Sequence, residues 1–422
     1  MAKVEVKSEF VRSVNHKDAV ETIKNMYNAD VPVMMWGAPG IGKSVTVIET
    51  AKGIAGLLGL EFIEWNALST AERNALANSL DNKGKFIYGD CRLSQYDPSD
   101  WALPWVDHKN EDAGMKWLPS QLLKAYSVPG TKGILFLDEL PQATPSVQNA
   151  AYQIILDRQY KDVCFKGIRM VAAGNRSSDG GNQYAFAPAL ANRLCHVELN
   201  TPSSEDWVKW ARDNGVHPMI CAFIKSRPDC LYEETGKTEN RRYAWASPRS
   251  WEMVSKLLNA MPPLDAANRE GWVSDAYYML HSTVGKGAAL EFQAFMLTLH
   301  DVFLDDYLKN PELLKDASID VQLGVQAMLE AHALNIINKG DDKETIKLID
   351  QHFNIFEANL RNDIKAIFLS SMLRVFRQKD SNIAGQQVII KLLEKHKKKD
   401  MLSKFKGYVN ELIYLLTGQR IS

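Results

Sequence analysis

Eight consecutive residues, Gly37-Ala38-Pro39-Gly40-Ile41-Gly42-Lys43-Ser44, have the types and spacing that bind phosphate. They fit G-x-x-x-x-G-K-[ST], in which glycines let successive backbone N–H groups turn toward one point at the positive end of a following helix. At that point Lys43 can reach the β- and γ-phosphates of a nucleoside triphosphate, and the Ser44 hydroxyl can coordinate Mg²⁺. The candidate nucleotide-binding residues are Gly37, Ala38, Pro39, Gly40, Ile41, Gly42, Lys43, Ser44 and Val45. Such a loop has meaning only between a strand and a helix. The apolar run 33–36 and the amphipathic stretch 45–58 supply that context.

The groups that would complete the chemistry follow in order. Residues 133–139, Gly-Ile-Leu-Phe-Leu-Asp-Glu, read as an apolar strand ending in two carboxylates. A parallel sheet would place both beside the phosphate loop. Asp138 there would hold Mg²⁺ through its water shell, and Glu139 would act as general base on the attacking water. Asn175, just past an apolar run at 168–173, can position that water, although Gly-Asn is also an ordinary turn pair. Arg249 lies in the first turn of a helix opened by Pro248, where the helix dipole disfavours a cation. It is either a phosphate-sensing arginine or a solvated surface residue. Arg193 closes a short helix from Ala187, where a cation is favourable in any case, and could project into a neighbouring subunit's nucleotide.

These residues require an α/β frame. Short apolar runs at 33–36, 85–89, 133–137, 168–173 and 194–199 read as strands buried on both faces of a parallel sheet, separated by helical patterns. A helix is expected over 17–27. Another should start at Thr144-Pro145 with Val147, Ala151, Ile154 and Ile155 on its apolar face. Residues 61–84 read as an extra helical excursion, and 94–126 as a longer insertion holding Trp101, Trp105 and Trp117. Beyond Pro202 the strand patterns stop. Helices are expected after the Ser203/Asp206 capping pair, from Pro218 to before Arg227, from Pro248 to Pro262, and over 288–309, 318–338 and 344–378. The expected layout is a lead helix or linker at 1–30, a nucleotide-binding domain at 31–200, a helical lid at 201–262 and an all-α region at 263–422.

Composition narrows the class. The 422 residues are 45% hydrophobic and 24% charged, with Lys+Arg 50 against Asp+Glu 51 and a net charge of −1, so no global field favours nucleic acid or membrane. No apolar run approaches a membrane span, the first residues do not read as a signal peptide, and five cysteines without C-x-x-C spacing suggest free thiols. A soluble cytoplasmic protein is expected. The lysine-rich stretch at 391–406 reads as a solvated helix or, less simply, a nucleic-acid contact. Cys195-His196 reads as strand core.

Taken together, the phosphate loop, Leu137 to Ala150, Ala172 to Arg176, Ala187 to Arg193, Arg92-Leu-Ser-Gln-Tyr-Asp-Pro-Ser-Asp and Ser247-Pro248-Arg249 resemble the AAA+ ATPases. More narrowly they resemble the MoxR-type branch found in bacteria and their phages, over roughly 20–262. The resemblance implies a P-loop sheet sandwiched by helices, ATP and Mg²⁺ as cofactors, and a homo-oligomeric ring, usually hexameric, with ATP between subunits. It makes Asn175 similar to the sensor 1 residue, Arg193 to the arginine finger and Arg249 to the sensor 2 arginine. It implies a hairpin near Trp101 to Trp117 facing a central channel, where the tryptophans either grip a polypeptide or form a small core. Two departures stand out: Asp100-Trp-Ala-Leu-Pro104 lacks the family's usual glycine, and the finger segment ends Arg-Leu in place of Arg-Phe. The activity implied is ATP hydrolysis driving chaperone-like remodelling of a client, with a von Willebrand factor A-type partner suspected and the 263–422 region as docking candidate. A nucleic-acid-acting motor in a phage or defence system and a nucleotide-gated assembly scaffold are the alternatives.

Overall fold

The computed structural model describes residues 11–106, 115–176, 188–233, 243–262, 269–298 and 304–339, together with 179, 184 and 186. The chain divides into two compact units, Met1–Pro202 and Ser203–Ser422.

The first unit is built on seven strands: β1 (Arg12–Val14), β2 (Val33–Trp36), β3 (Glu61–Glu64), β4 (Lys85–Arg92), β7 (Lys132–Asp138), β10 (Ile168–Gly174) and β11 (Cys195–Leu199). Their order is β1-β11-β2-β10-β7-β4-β3 and every neighbouring pair is parallel. The central strands carry unbroken apolar runs because helices cover both faces, and Ile134, Leu135, Phe136 and Leu137 are all fully buried. Gly133 has no room for a side chain: a Cβ there would lie 2.0 Å from the Ile87 carbonyl oxygen on β4. The helices are α1 (His16–Ala29), α2 (Lys43–Leu57), α3 (Thr70–Ala77), α4 (Gln121–Ser127), α5 (Pro145–Asp157) and the single turn α6 (Pro188–Ala191).

Two hairpins complete this unit. β5 (Ala102–Val106) pairs antiparallel with β6 (Met115–Pro119), and β8 (Gln159–Tyr160) pairs with β9 (Val163–Cys164). Among the described residues of the insertion expected over 94–126 are the 3-10 turns Leu93–Gln95 and Pro98–Asp100, the β5–β6 pair and α4.

Some elements differ from the sequence reading. The segment 61–84 is not purely helical, since Glu61–Glu64 is an edge strand ahead of α3. Its Glu-Phe-Ile-Glu pattern has only two apolar residues, because an edge strand has one neighbour and remains largely accessible. The lead contributes β1 as well as α1; only Val14 of that strand is buried, so its apolar signal is a single residue. Thr144 occupies the N-cap of α5, but its hydroxyl pairs with Ser146 Oγ at 3.0 Å and makes no bond to a helix N–H.

The second unit is helical through its described residues: α7 (Ser204–Asp213), α8 (Pro218–Ser226), α9 (Pro248–Ala260), α10 (Arg269–Val284), α11 (Lys286–Thr298), α12 (Leu304–Lys309) and α13 (Ile319–Lys339). Ser203 Oγ accepts the Asp206 N–H at 3.1 Å and starts α7. One apolar core runs through these helices from Trp207 to Leu329, with Phe223 in ring contact with Trp251, Phe292 and Phe295 at its centre. Over 288–309 the described residues are helical, in α11 and α12, and α10 falls within the all-α region expected from 263. The expected helix over 344–378 and the lysine-rich stretch at 391–406 lie outside the described residues.

Candidate active site

In an all-parallel sheet the carboxyl ends of the strands share one edge, and the order reverses about β2, which lies between β10 and β11. Ligands of open α/β sheets bind in the crevice at such a switch point. The loop 37–42 leaves β2 there. Gly40 and Gly42 have φ of 78° and 99°, the left-handed region that glycine enters without steric cost. A Cβ on Gly37 would lie 2.9 Å from the Leu199 carbonyl oxygen. The loop delivers the chain into α2, whose first turn has neither a side-chain cap nor an acidic residue. Uncapped N–H groups and the positive helix end make that turn an anion site.

Lys43 is 9% exposed, and its ammonium is held by three acceptors: the Gly37 carbonyl at 2.7 Å, the Ala38 carbonyl at 2.9 Å and Asn175 Oδ1 at 2.9 Å. A buried cation requires such partners. Asn175 reaches Lys43 because β10 ends beside the loop, with Gly174 in register with Trp36 and its carbonyl accepting the Gly37 N–H at 3.3 Å. Gly174 itself packs on Pro141, whose Cδ would lie 2.5 Å from an added Cβ.

Ser44 Oγ donates to Asp138 Oδ2 at 3.3 Å, and the Glu139 N–H donates to Asp138 Oδ1 at 2.9 Å. Burial pushes the Asp138 carboxyl up, opposed by the Glu139 N–H and by the Lys43 charge. A hydroxyl and a carboxylate at this separation are the hard oxygen donors that Mg²⁺ takes while retaining several waters, so the residues fit that ion. Glu139 has φ 58°, unusual for a non-glycine residue, and this turns the chain out of β7 into a 3-10 turn over Leu140–Gln142. Ser94, in the 3-10 turn Leu93–Gln95 after β4, donates its hydroxyl hydrogen to Glu139 Oε2.

Three further features were not identified from sequence. Ser94 is one. Asp90, near the end of β4, is pushed up to about 6 by burial and by the Asp138 charge, and its Oδ1 is buried without a hydrogen bond. Arg176, immediately after Asn175, is gripped by Asp179 through Nε and Nη2 and by Glu198 through Nη1 at 2.7 Å. Nothing in the residue types marked Asp90; Ser94 and Arg176 each stood within a family-like motif, Arg92 to Asp100 and Ala172 to Arg176, without an assigned role.

Arg193 is exposed after α6. Its Nη1 donates to the Ala189 carbonyl at 3.0 Å, and its guanidinium lies 4.9 Å from the Tyr152 ring centroid. These contacts tie it to α5 and α6. Arg249 is exposed at the second position of α9, where Ser247 and Ser250 form a capping box. The three insertion tryptophans separate. Trp101 is core, 1% exposed and 5.0 Å from Tyr96. Trp117 lies 4.4 Å beneath the Lys161 ammonium, and Trp105 is 48% exposed on the hairpin.

A strand order of β11-β2-β10-β7-β4 with the loop after β2 and the carboxylates after β7 is the arrangement of a P-loop NTPase sheet covered by helices. No family model matches the chain, and no curated protein does. Among solved structures, NtrX from Brucella abortus in complex with ADP is 12% identical, with a TM-score of 0.30 and 67% of each chain covered. The RuvB Holliday junction branch migration motor from Thermotoga maritima is 16% identical, with a TM-score of 0.25, covering 74% of this chain and 82% of its own. PCH-2 from C. elegans is 9% identical, with a TM-score of 0.27, covering 67% of this chain and 68% of its own. Among the described residues no helix is long and apolar enough to cross a membrane.

Proposed function

We propose that this chain binds and hydrolyses ATP as an AAA+ protein of MoxR type, assembled in a hexameric ring, and that it remodels a protein client in the manner of a chaperone. The observation that carries the reading is the meeting of Lys43 with Asn175 and of Ser44 with Asp138 at the end of one sheet. Residues 37–45 would bind the triphosphate through the loop N–H groups and the α2 N-terminus. Lys43 would exchange its loop carbonyls for β- and γ-phosphate oxygens. Ser44 and Asp138 would hold Mg²⁺, which when bound neutralises charge on the phosphates. Glu139 would take the proton of the attacking water, with Asn175 orienting that water.

Arg193, exposed on a short turn, would be lent to the neighbouring protomer's nucleotide as the arginine finger, a role worth ~10³–10⁵ in rate. Arg249 would sense the γ-phosphate, with residues 201–262 acting as the lid. The exposed apolar hairpin around Trp105 would meet the client, and the region 263–422 would dock the client or a von Willebrand factor A-type partner.

Phosphate release with ATP and Mg²⁺ tests the chemistry. Wild type turns over, Glu139→Gln binds ATP without hydrolysing it, and Lys43→Ala does neither. ATP-dependent assembly followed by sedimentation tests the ring, and affinity capture on Glu139→Gln identifies the client. Undiminished turnover in Glu139→Gln would overturn the catalytic assignment. Stimulation of hydrolysis by DNA or RNA and by no protein would overturn the client class.

A further inference from the structure

Strand β11 carries two polar side chains two residues apart, and therefore on one face, each tied to an element of the Lys43 site. Trp36, the last residue of β2 and the one before Gly37, donates its Nε1–H to His196 Nδ1 at 2.8 Å. The two rings lie nearly parallel, 11° apart with centroids 6.0 Å from each other. On the far side of the imidazole, Nε2 lies 2.8 Å from the Ala191 carbonyl oxygen. Indole nitrogen can only donate and a carbonyl can only accept. The pair therefore selects the neutral ring with its proton on Nε2. Ala191 ends α6, two residues before Arg193, whose own Nη1 is bound to the Ala189 carbonyl in the same turn. Further along β11, Glu198 accepts from Arg176, the residue after Asn175. His196, read from sequence as simple strand core, is a two-sided bridge.

A structural role alone accounts for less than this. The Trp36 N–H needs one acceptor, and His196 could supply it without also reaching back to the turn that bears Arg193. We propose that His196 is a positioning residue, which holds the Arg193 turn in register with the chain's own phosphate loop through Trp36 on one side and Ala191 on the other. The inference rests on reading Arg193 as an arginine supplied to a neighbour, and it names what sets that arginine's place. It also gives a route by which a displacement of the loop at one nucleotide shifts the arginine serving the next, with Glu198 and Arg176 tying the same strand to Asn175.

The test compares steady-state ATP hydrolysis and ATP binding in His196→Leu, His196→Gln, Trp36→Phe and Arg193→Ala, and in the double variant His196→Leu/Arg193→Ala. A finger displaced by about 1 Å costs on the order of 100-fold. His196→Leu and Trp36→Phe are therefore expected to lower kcat between about tenfold and 100-fold, with KM and ATP affinity held within about twofold. His196→Gln, which retains one acceptor and one donor, recovers part of the loss. In the Arg193→Ala background His196→Leu causes no further loss, because its effect passes through the finger. A further loss in that background would mark a general structural role and overturn the inference. So would normal turnover in His196→Leu beside impaired turnover in Arg193→Ala, which leaves the finger assignment intact. Normal turnover in Arg193→Ala overturns the finger assignment itself, and the inference with it. Should His196→Leu not fold, Trp36→Phe, which keeps an aromatic ring and removes the donor, decides by the same comparison.

Discussion

Ser94 donates its hydroxyl hydrogen to Glu139 Oε2, tying the proposed general base to the turn after the neighbouring strand β4. The restraint is local and specific, since Glu139 is already held by its left-handed backbone at φ 58°. The serine hydroxyl occupies one of the two carboxylate oxygens, and Ser94→Ala leaves both open to the attacking water. Basal hydrolysis is expected to rise about threefold with KM for ATP unchanged, well within the range general-base changes produce. A fall in turnover would mean that Ser94 orients Glu139 and does not restrain it.

Asn175 and Lys43 share a hydrogen bond at 2.9 Å, but they would act at different stages. Lys43 has two further acceptors in the loop itself, so its ammonium remains satisfied when Asn175 is shortened. Asn175→Ala should therefore leave ATP affinity within about threefold while lowering kcat on the order of 100-fold, the pattern of a contact used mainly in the transition state. Isothermal titration with the non-hydrolysed analogue and phosphate release separate the two quantities. Equal losses in both would show that Asn175 serves binding alone.

The insertion tryptophans should behave differently. Trp101 is 1% exposed against Tyr96, so Trp101→Ala leaves a cavity and costs about 3–5 kcal/mol. Trp105 is 48% exposed, and Trp105→Ala should change stability by less than about 1 kcal/mol. If the hairpin meets a client, Trp105→Ala loses client-stimulated hydrolysis while basal hydrolysis persists. Denaturant unfolding and ATPase assays with the captured client check both halves.

The contrast among the tryptophans shows where sequence reading reached its limit. Motif spacing made Lys43, Ser44, Asp138 and Asn175 legible, because parallel strands with apolar runs must end at a common edge and each residue follows such a run. Strands of one or two apolar residues left no such trace: β1 has only Val14 buried, and β3 is an accessible edge. Ser94 and His196 were illegible for another reason. A serine in a turn and a histidine in a strand are common, and only the pairing of distant segments, 45 residues apart for Ser94–Glu139 and 160 for Trp36–His196, gives them partners.

Asp90 is an acid kept near its neighbours at a cost. Burial and the Asp138 charge push it up to about 6, above the ordinary 3.8. Between those values the folded chain binds more protons than the unfolded one, so this group's contribution to stability falls as pH rises from about 4 to 6 and stays low above that. Asp90→Asn removes the charge, and the backbone of residue 90 keeps its two bonds to Asn66. The nucleotide-free variant should melt a few degrees higher than wild type at pH 7.5, with the gain closing by about pH 4. A lower melting temperature at pH 7.5 would show that the charge is compensated in the fold.

His217 has the opposite sign in the helical unit. It caps α8, with Nδ1 accepting the Met219 N–H at 3.3 Å and its own backbone N–H donating to Ser255 Oγ at 2.7 Å. Burial pulls its imidazole down from 6.5 to about 4, because the charged ring has no compensating partner there. The unfolded chain therefore takes up the proton first, and stability present above pH 6.5 is lost as pH falls toward 4. A shift of that size corresponds to roughly 3 kcal/mol, an upper bound because His217 is only half-buried by its accessible surface. His217→Asn keeps a favourable cap and does not titrate. Its stability relative to wild type should accordingly rise as pH is lowered from 6.5 to 4, by up to that amount, in denaturant melts that follow the helical signal. A constant difference across the window would mean that the folded ring protonates as readily as the unfolded one, and that the cap tolerates the charge.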